Sequence, residues 1–322
     1  HKMNVSVDKI GFKRKVKGLK SVLYSIFRLI ILLAVSYIII YPLLYMLSSA
    51  LKTASAFQDP GVLWIPKVLT SANFKNAIEA MNFKNALFST LRLEVVSAVI
   101  ETAACAVTAY GLARFNFPGK KLITVMLVFL IVVPSQMLVI PMTVNFSRLD
   151  FFGILKALGT VTGKELRPNI LDTSWCFYLP SLFSVGLRSG ILIYIYHQFF
   201  LGLPKELEEA AWIDGSAPPR TFLCIALPSS TVAVITVFVL SLVWHWNDYY
   251  LAVMYTSENF PLAVSLASLP QKLSLLGIWP GNILNTTGVM AGCVMFVTPI
   301  LLFYLILQRK FIKSIDRVGI TG

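Results

Sequence analysis

Four stretches of this chain, residues 29–51, 122–147, 221–247 and 286–307, each run for twenty-two residues or more without a charge. A helix rises about 1.5 Å per residue, so each run is long enough to cross a hydrocarbon layer of about 30 Å. No water reaches a backbone inside that layer, so every N–H and C=O must be satisfied within the chain, and helices do this locally. Composition agrees: 57% of the 322 residues are hydrophobic, 13% are charged and mean hydropathy is +0.74, whereas soluble domains carry about 25% charged residues. Two further apolar segments hold a few charges: 88–113 with Arg92, Glu94 and Glu101, and 173–201 with Arg188. The expected fold is an all-α integral membrane protein with six transmembrane helices over residues 29–308. A basic arm, 1–28, precedes them and a basic tail, 309–322, follows. His1 and Lys2, ahead of Met3, are expected to be a remnant outside the fold. The first apolar segment is too long for a cleavable signal.

Charge placement orients these spans. Six crossings put both termini on one side, and the segments of that side carry 17 Lys/Arg against nine in the opposite loops, which hold six acidic residues. Basic residues favour the cytoplasmic face, so both termini are expected there. The net charge of +13 follows this asymmetry and points to a membrane surface, not to nucleic acid. Cys105, Cys176, Cys224 and Cys293 show no CxxC spacing, which indicates neither a disulfide framework nor a metal site.

One polar interruption, residues 203–228, lies between two apolar segments on the cytoplasmic side. Pro204 suits a first helical position, where its missing N–H is harmless. Glu206, Glu208 and Glu209 follow, in turns where the helix dipole favours negative charge. Leu207, Ala210 and Ala211 share a narrow face at i, i+3, i+4, and Gly215 after Asp214 is a natural stop. A surface loop would satisfy the polarity alone. A short rigid helix with an acidic rim and a sharp exit is instead expected to dock a soluble partner.

The residues of this interruption carry a resemblance. Glu209, Ala210 and Ala211, then Asp214 and Gly215, then Phe222, Ile225, Leu227 and Pro228 resemble the EAA loop of binding-protein-dependent ABC importer permeases, with Ser216 where that pattern has Ala. The run AYGLARFNFPGKK at 109–121, Val133-Pro134-Ser135-Gln136 with Pro141, and Trp246-Asn247-Asp248 are similar to markers of the carbohydrate-type, maltose-importer-like members. The ending VGITG is a weaker echo of their terminus. The resemblance covers roughly residues 75–322. It implies a type I ABC importer permease fold in which Glu206, Glu209, Ala210, Ala211, Asp214 and Gly215 couple to an ATPase. Glu209 would pair with a basic residue there and Gly215 make the turn. It also implies two ATP-binding subunits, a second permease, an extracytoplasmic solute-binding protein and membrane lipid as partners, in a bacterial inner membrane. The implied cargo is a sugar, expected to be an oligosaccharide. ATP and Mg would be held by the ATPase subunits and no cofactor by this chain.

The chain's own chemistry fits a transport subunit and not an enzyme. Its nearest approach to a phosphate-binding loop, Gly159 to Glu165, has three residues between its glycines and Glu where Ser or Thr is needed. There is no GxSxG string. Charges inside a span are functional candidates by default. Glu94 and Glu101, seven apart, share a helix face. Arg188 is expected to pair with one of them, while Arg92 and Glu94 sit near an outer end that reaches water. The alternative is a polar translocation path along Arg92, Glu94, Glu101, Arg188, Trp246, Asn247 and Asp248, and an unpaired Arg in it would imply an acidic sugar. Trp244, Trp246, Tyr249 and Tyr250 suit an interfacial belt, or a stacking surface for sugar rings beside Asn247 and Asp248. Gly186 with Gly190, and Gly288 with Gly292, are small-residue pairs expected to seat neighbouring helices. The loop 255–285, with Trp279, Pro280 and Gly281, is long enough to reach a docked binding protein. Two other functions suit parts of the pattern: an EAA-loop permease for another small solute, and an ATP-independent secondary transporter, which would show paired repeats.

Overall fold

The computed structural model describes residues 2–318 apart from 63, 67, 151, 152 and 277–284; side chains are described from residue 22 to 308, apart from those positions and 285. Among the described residues the chain is helical, with one isolated bridge between Lys52 and Leu69. Three helices are long and apolar enough to span a membrane, or five if each of two sharply bent pairs is one span. Two of the six expected spans are thus bent pairs, and the fourth, 173–201, falls on two helices too short to count as spans. The motif Trp279-Pro280-Gly281 and the last four residues lie outside the described residues.

Helix α1 (Lys2–Ala50) contains the first apolar run. From Val22 to Leu47 its side chains are mostly exposed, as suits a helix facing lipid. The following segment, expected as an outer loop, instead holds helix α2 (Ala72–Met81). Asn73, Ala77, Ala80 and Met81 recur at helical spacing and are buried, which pins the segment to the core. Asn73 Nδ2 donates to the carbonyls of Ala50 and Lys52, both at 2.8 Å, and so ties off the end of α1.

Helix α3 (Phe83–Arg114) is the centre of the molecule. It is longer than the expected span and carries a π-helical turn at Leu91–Val95, a device common at functional positions. Next come α4 (Lys120–Val132) and α5 (Ser135–Ser147), bent by 102° at Pro134. The proline forces Val133 into extended backbone, φ −72° and ψ 120°. Pro141 breaks nothing, because it falls in the first turn of the regular helix Val139–Ser147. An exposed helix, α6 (Ile154–Thr162), follows and ends at Gly163.

The fourth span, expected as one helix, is two: α7 (Trp175–Leu182) and α8 (Ser189–Gly202). Helix α7 stops in a Schellman turn, with Val185 N–H donating to Pro180 O at 2.9 Å, Ser184 N–H to Ser181 O at 3.2 Å, and Ser184 left-handed at φ 57°. Gly190 of α8 lies where a Cβ would meet the backbone of Leu130 and Ile131 at 3.1 Å, so it seats α8 on α4 as its spacing suggested. Gly292 likewise meets Leu269.

After the docking segment, α9 (Glu206–Ile213), the fifth span is bent by 82° between α10 (Pro218–Ser229) and α11 (Thr231–Trp246). Short helices α12 (Tyr250–Tyr255), α13 (Leu262–Ala267) and α14 (Leu269–Leu275) lead to α15 (Asn285–Val318). Helices α7, α8 and α11 all pack on α3. One core cluster joins Cys105 and Tyr110 of α3 to Tyr196, Phe200, Phe222 and Val237.

Candidate functional site

At one end of α3, helix α9, the segment expected to dock a partner, runs from Glu206 to Ile213, starting two residues beyond Pro204. Its stop is the expected one. Gly215 N–H donates to Trp212 O at 3.0 Å and Ser216 N–H to Ala211 O at 2.9 Å, with Gly215 at φ 81°; both bonds close a Schellman turn. The expected apolar face divides. Ala211 is buried, whereas Leu207 and Ala210 face outward with Glu206, Glu209, Trp212 and Ile213. Ile213 is 86% exposed, an unusual position for a large aliphatic side chain.

The residue that fixes this helix is Glu208. Its carboxylate accepts Arg114 Nε at 2.9 Å and Tyr110 Oη at 3.3 Å, while Arg114 Nη2 donates to Leu203 O at 3.0 Å. Tyr110 is itself held between Phe200 and Phe222, with ring centroids 5.4 and 4.9 Å away. An Arg at the last turn of a span and a Glu three residues before the buried Ala211 were signals in the sequence. Only the approach of the two helices distinguishes Glu208 from its neighbours. Among the described residues, Glu206, Glu209 and Asp214 have no basic partner within 4 Å.

The charges within the spans are arranged differently from expectation. Glu94 and Glu101 do share a face, but their partner is His245 of α11, not Arg188. His245 Nε2 lies 3.0 Å from Glu101 Oε2 and Nδ1 lies 3.4 Å from Glu94 Oε2, the latter without hydrogen-bond alignment. Glu101 also accepts Ser189 Oγ at 2.5 Å and Ser241 Oγ at 2.8 Å. It thus joins α3, α8 and α11. Gly186 belongs to the same joint, since a Cβ there would come within 2.6 Å of Glu101 Oε1. Glu94, expected to reach water, is fully buried because the π turn directs it into the bundle. His245 escaped notice because a single histidine in an apolar run has no spacing to reveal it.

Arg188 stands at the break between α7 and α8, left-handed at φ 58°, with its guanidinium 5.1 Å from the Trp244 ring. That contact covers Trp244 as a stacking surface. The cleft beside it, about 240 Å³, is lined by Gln136, Asn247, Asp248 and Tyr250 among others. The bend after α4, the break before α8 and the end of α11 therefore meet at one place. Irregular backbone at membrane depth is tolerated where protein or water satisfies its polar groups. Asp248 is 8% exposed; its Oδ1 accepts Leu251 N–H at 3.3 Å and its Oδ2 makes no hydrogen bond. Trp246, a candidate for the path, is instead a core residue, 1% exposed, with Nε1–H donated to Phe296 O at 3.2 Å. Arg92, near the opposite end of α3 from Arg114, borders a separate 490 Å³ cleft with Asp172 and Glu258.

Comparison with known proteins places this geometry. The trehalose transport system permease protein SugB of Mycobacterium tuberculosis is 28% identical over 87% of this chain and 92% of its own. The probable starch degradation products transport system permease protein AmyC of Thermoanaerobacterium thermosulfurigenes is 28% identical over 79% of this chain and 81% of its own. A chain of a bacterial ABC transporter involved in the import of the acidic polysaccharide alginate superposes with a TM-score of 0.70, covering 90% of this chain and 96% of that one at 20% identity. The family described as the binding-protein-dependent transport system inner membrane component matches residues 103–317. That stretch is two-thirds of the chain and takes in α9, His245 and the residues of the Arg188 cleft, and the chain belongs to this family.

Proposed function

We propose that this chain is one permease subunit of an ATP-driven importer for a sugar, most simply an oligosaccharide, as the names of its relatives suggest. The observation that carries the reading is the docking helix, clamped from beneath by Glu208 and Arg114 while Glu206, Glu209 and Ala210 face outward. One such helix engages one ATP-binding subunit. A second permease, a second ATP-binding subunit and an external solute-binding protein complete the assembly, and ATP and Mg belong to the ATP-binding subunits. Both termini and the docking helix lie on the cytoplasmic side, where the basic residues gather.

The mechanism follows from the joints. The Glu208–Arg114 pair makes a push on α9 a push on the end of α3. Helix α3 carries Glu94 and Glu101, which grip α8 and α11 through Ser189, Ser241 and His245. Movement of the ATP-binding subunits is thereby delivered to the helices bordering the Arg188 cleft, rocking them between two packed arrangements. Glu209 supplies the outward carboxylate for a basic residue of the ATP-binding subunit.

Substitution Glu209→Lys tests the reading. Expected are normal membrane insertion, loss of the co-purifying ATP-binding subunit and loss of uptake; unchanged uptake would sink the docking assignment. The interrupted helices are also a device of ATP-independent transporters. Uptake by the purified chain alone in liposomes without ATP would favour that second reading.

A further inference from the structure

Arg188 is the point at which the structure says most about the cargo. A guanidinium inside a span is costly unless it is paired or faces water or a ligand. Glu94 and Glu101 of α3 are taken up by His245 and two serines, and Asp248, which lines the same cleft as Arg188, is not within 4 Å of it. Among the described residues Arg188 has no acidic partner within 4 Å, and its one recorded contact is the face of Trp244. Its backbone is left-handed, a conformation that disfavours any side chain with a Cβ other than Asn or Asp. A position that would suit glycine thus holds a long, exposed cation that lies beside a tryptophan and lines a cleft of about 240 Å³.

Resting on the importer reading, we propose that Arg188 recognises a carboxylate on the transported sugar, so that the cargo is an acidic oligosaccharide built from uronic acids. The planar guanidinium matches a carboxylate with two parallel hydrogen bonds. Trp244 lies beside it, with its ring centroid 5.1 Å from the guanidinium carbon. Gln136, and Asn247, whose Nδ2 already donates to Val243 O at 2.7 Å and whose Oδ1 is left to accept, offer amide groups to ring hydroxyls.

The test uses the assembled complex of both permeases and the ATP-binding subunits in detergent, without the binding protein. Calorimetric titration compares galacturonate and glucuronate trisaccharides with their methyl esters, which are neutral and otherwise alike. At least one acid is expected to bind about tenfold to a hundredfold more tightly than its ester, the loss of one charged hydrogen-bonded contact. Arg188→Asn, which keeps a residue at ease in the left-handed backbone, is expected to abolish that preference, and Arg188→Lys to keep part of it. Equal binding of acid and ester, no binding of either acid, or a preference that survives in Arg188→Asn overturns the proposal. A wild-type complex that does not assemble or hydrolyse ATP strikes instead at the importer reading.

Discussion

Arg114 donates from Nε to Glu208 Oε1 at 2.9 Å, and both side chains are 3% exposed. Ninety-four positions separate them in the chain, and they join the end of one span to the docking helix. Breaking such a buried pair leaves one charge without compensation, at a cost of about 3–5 kcal/mol. Glu208→Ala and Arg114→Ala should each lower the thermal unfolding midpoint in detergent by that equivalent. Because both variants lose the same joint, the double variant should fall well short of the sum, and an additive result would deny the coupling.

Gly215 sits at φ 81° with nothing within 4 Å of a Cβ position, so any penalty there is conformational and not steric. Gly215→Val should cost about 1–2 kcal/mol of local stability, and Gly215→Asn less. Affinity for the ATP-binding subunit, measured by surface capture of the purified permease, should fall in the order glycine, asparagine, valine.

Gly186 is the opposite case. A methyl group there would press on Glu101 Oε1 at 2.6 Å and on Ser181 Cα at 3.2 Å. Gly186→Ala should therefore destabilise by about 1–3 kcal/mol, visible in the unfolding midpoint. Restoration by Glu101→Ala would show that the carboxylate is what the methyl meets; no restoration would place the clash on the Ser181 backbone.

Trp246 and Asn247 are neighbours in sequence with separate roles. Trp246→Ala removes a core side chain and should cost about 3–5 kcal/mol, lowering the amount of folded protein. Asn247 is exposed beside the Arg188 cleft, so Asn247→Ala should keep the unfolding midpoint within about 0.5 kcal/mol and lower uptake. Equal unfolding shifts for the two would contradict the placement.

What the sequence by itself determined was local and periodic. Uncharged runs of membrane length settled the helical membrane class, and the acidic turn and Gly215 settled the short helix α9 and its exit. Glu94 and Glu101 at one heptad spacing had to share a face. Tertiary structure alone decided which groups met across that face. It gave the carboxylates to His245, left Arg188 facing a cleft, chose Glu208 as the buried carboxylate of the docking helix, and took Trp246 into the core. It also broke the fourth span between Leu182 and Ser189 and set α2 against the core. The physical reason is that length, period and turn chemistry act through neighbours within a turn or two. A buried charge instead takes the partner that helix packing brings within about 3 Å, and that partner lay 94 positions away for Arg114 and 144 for Glu101.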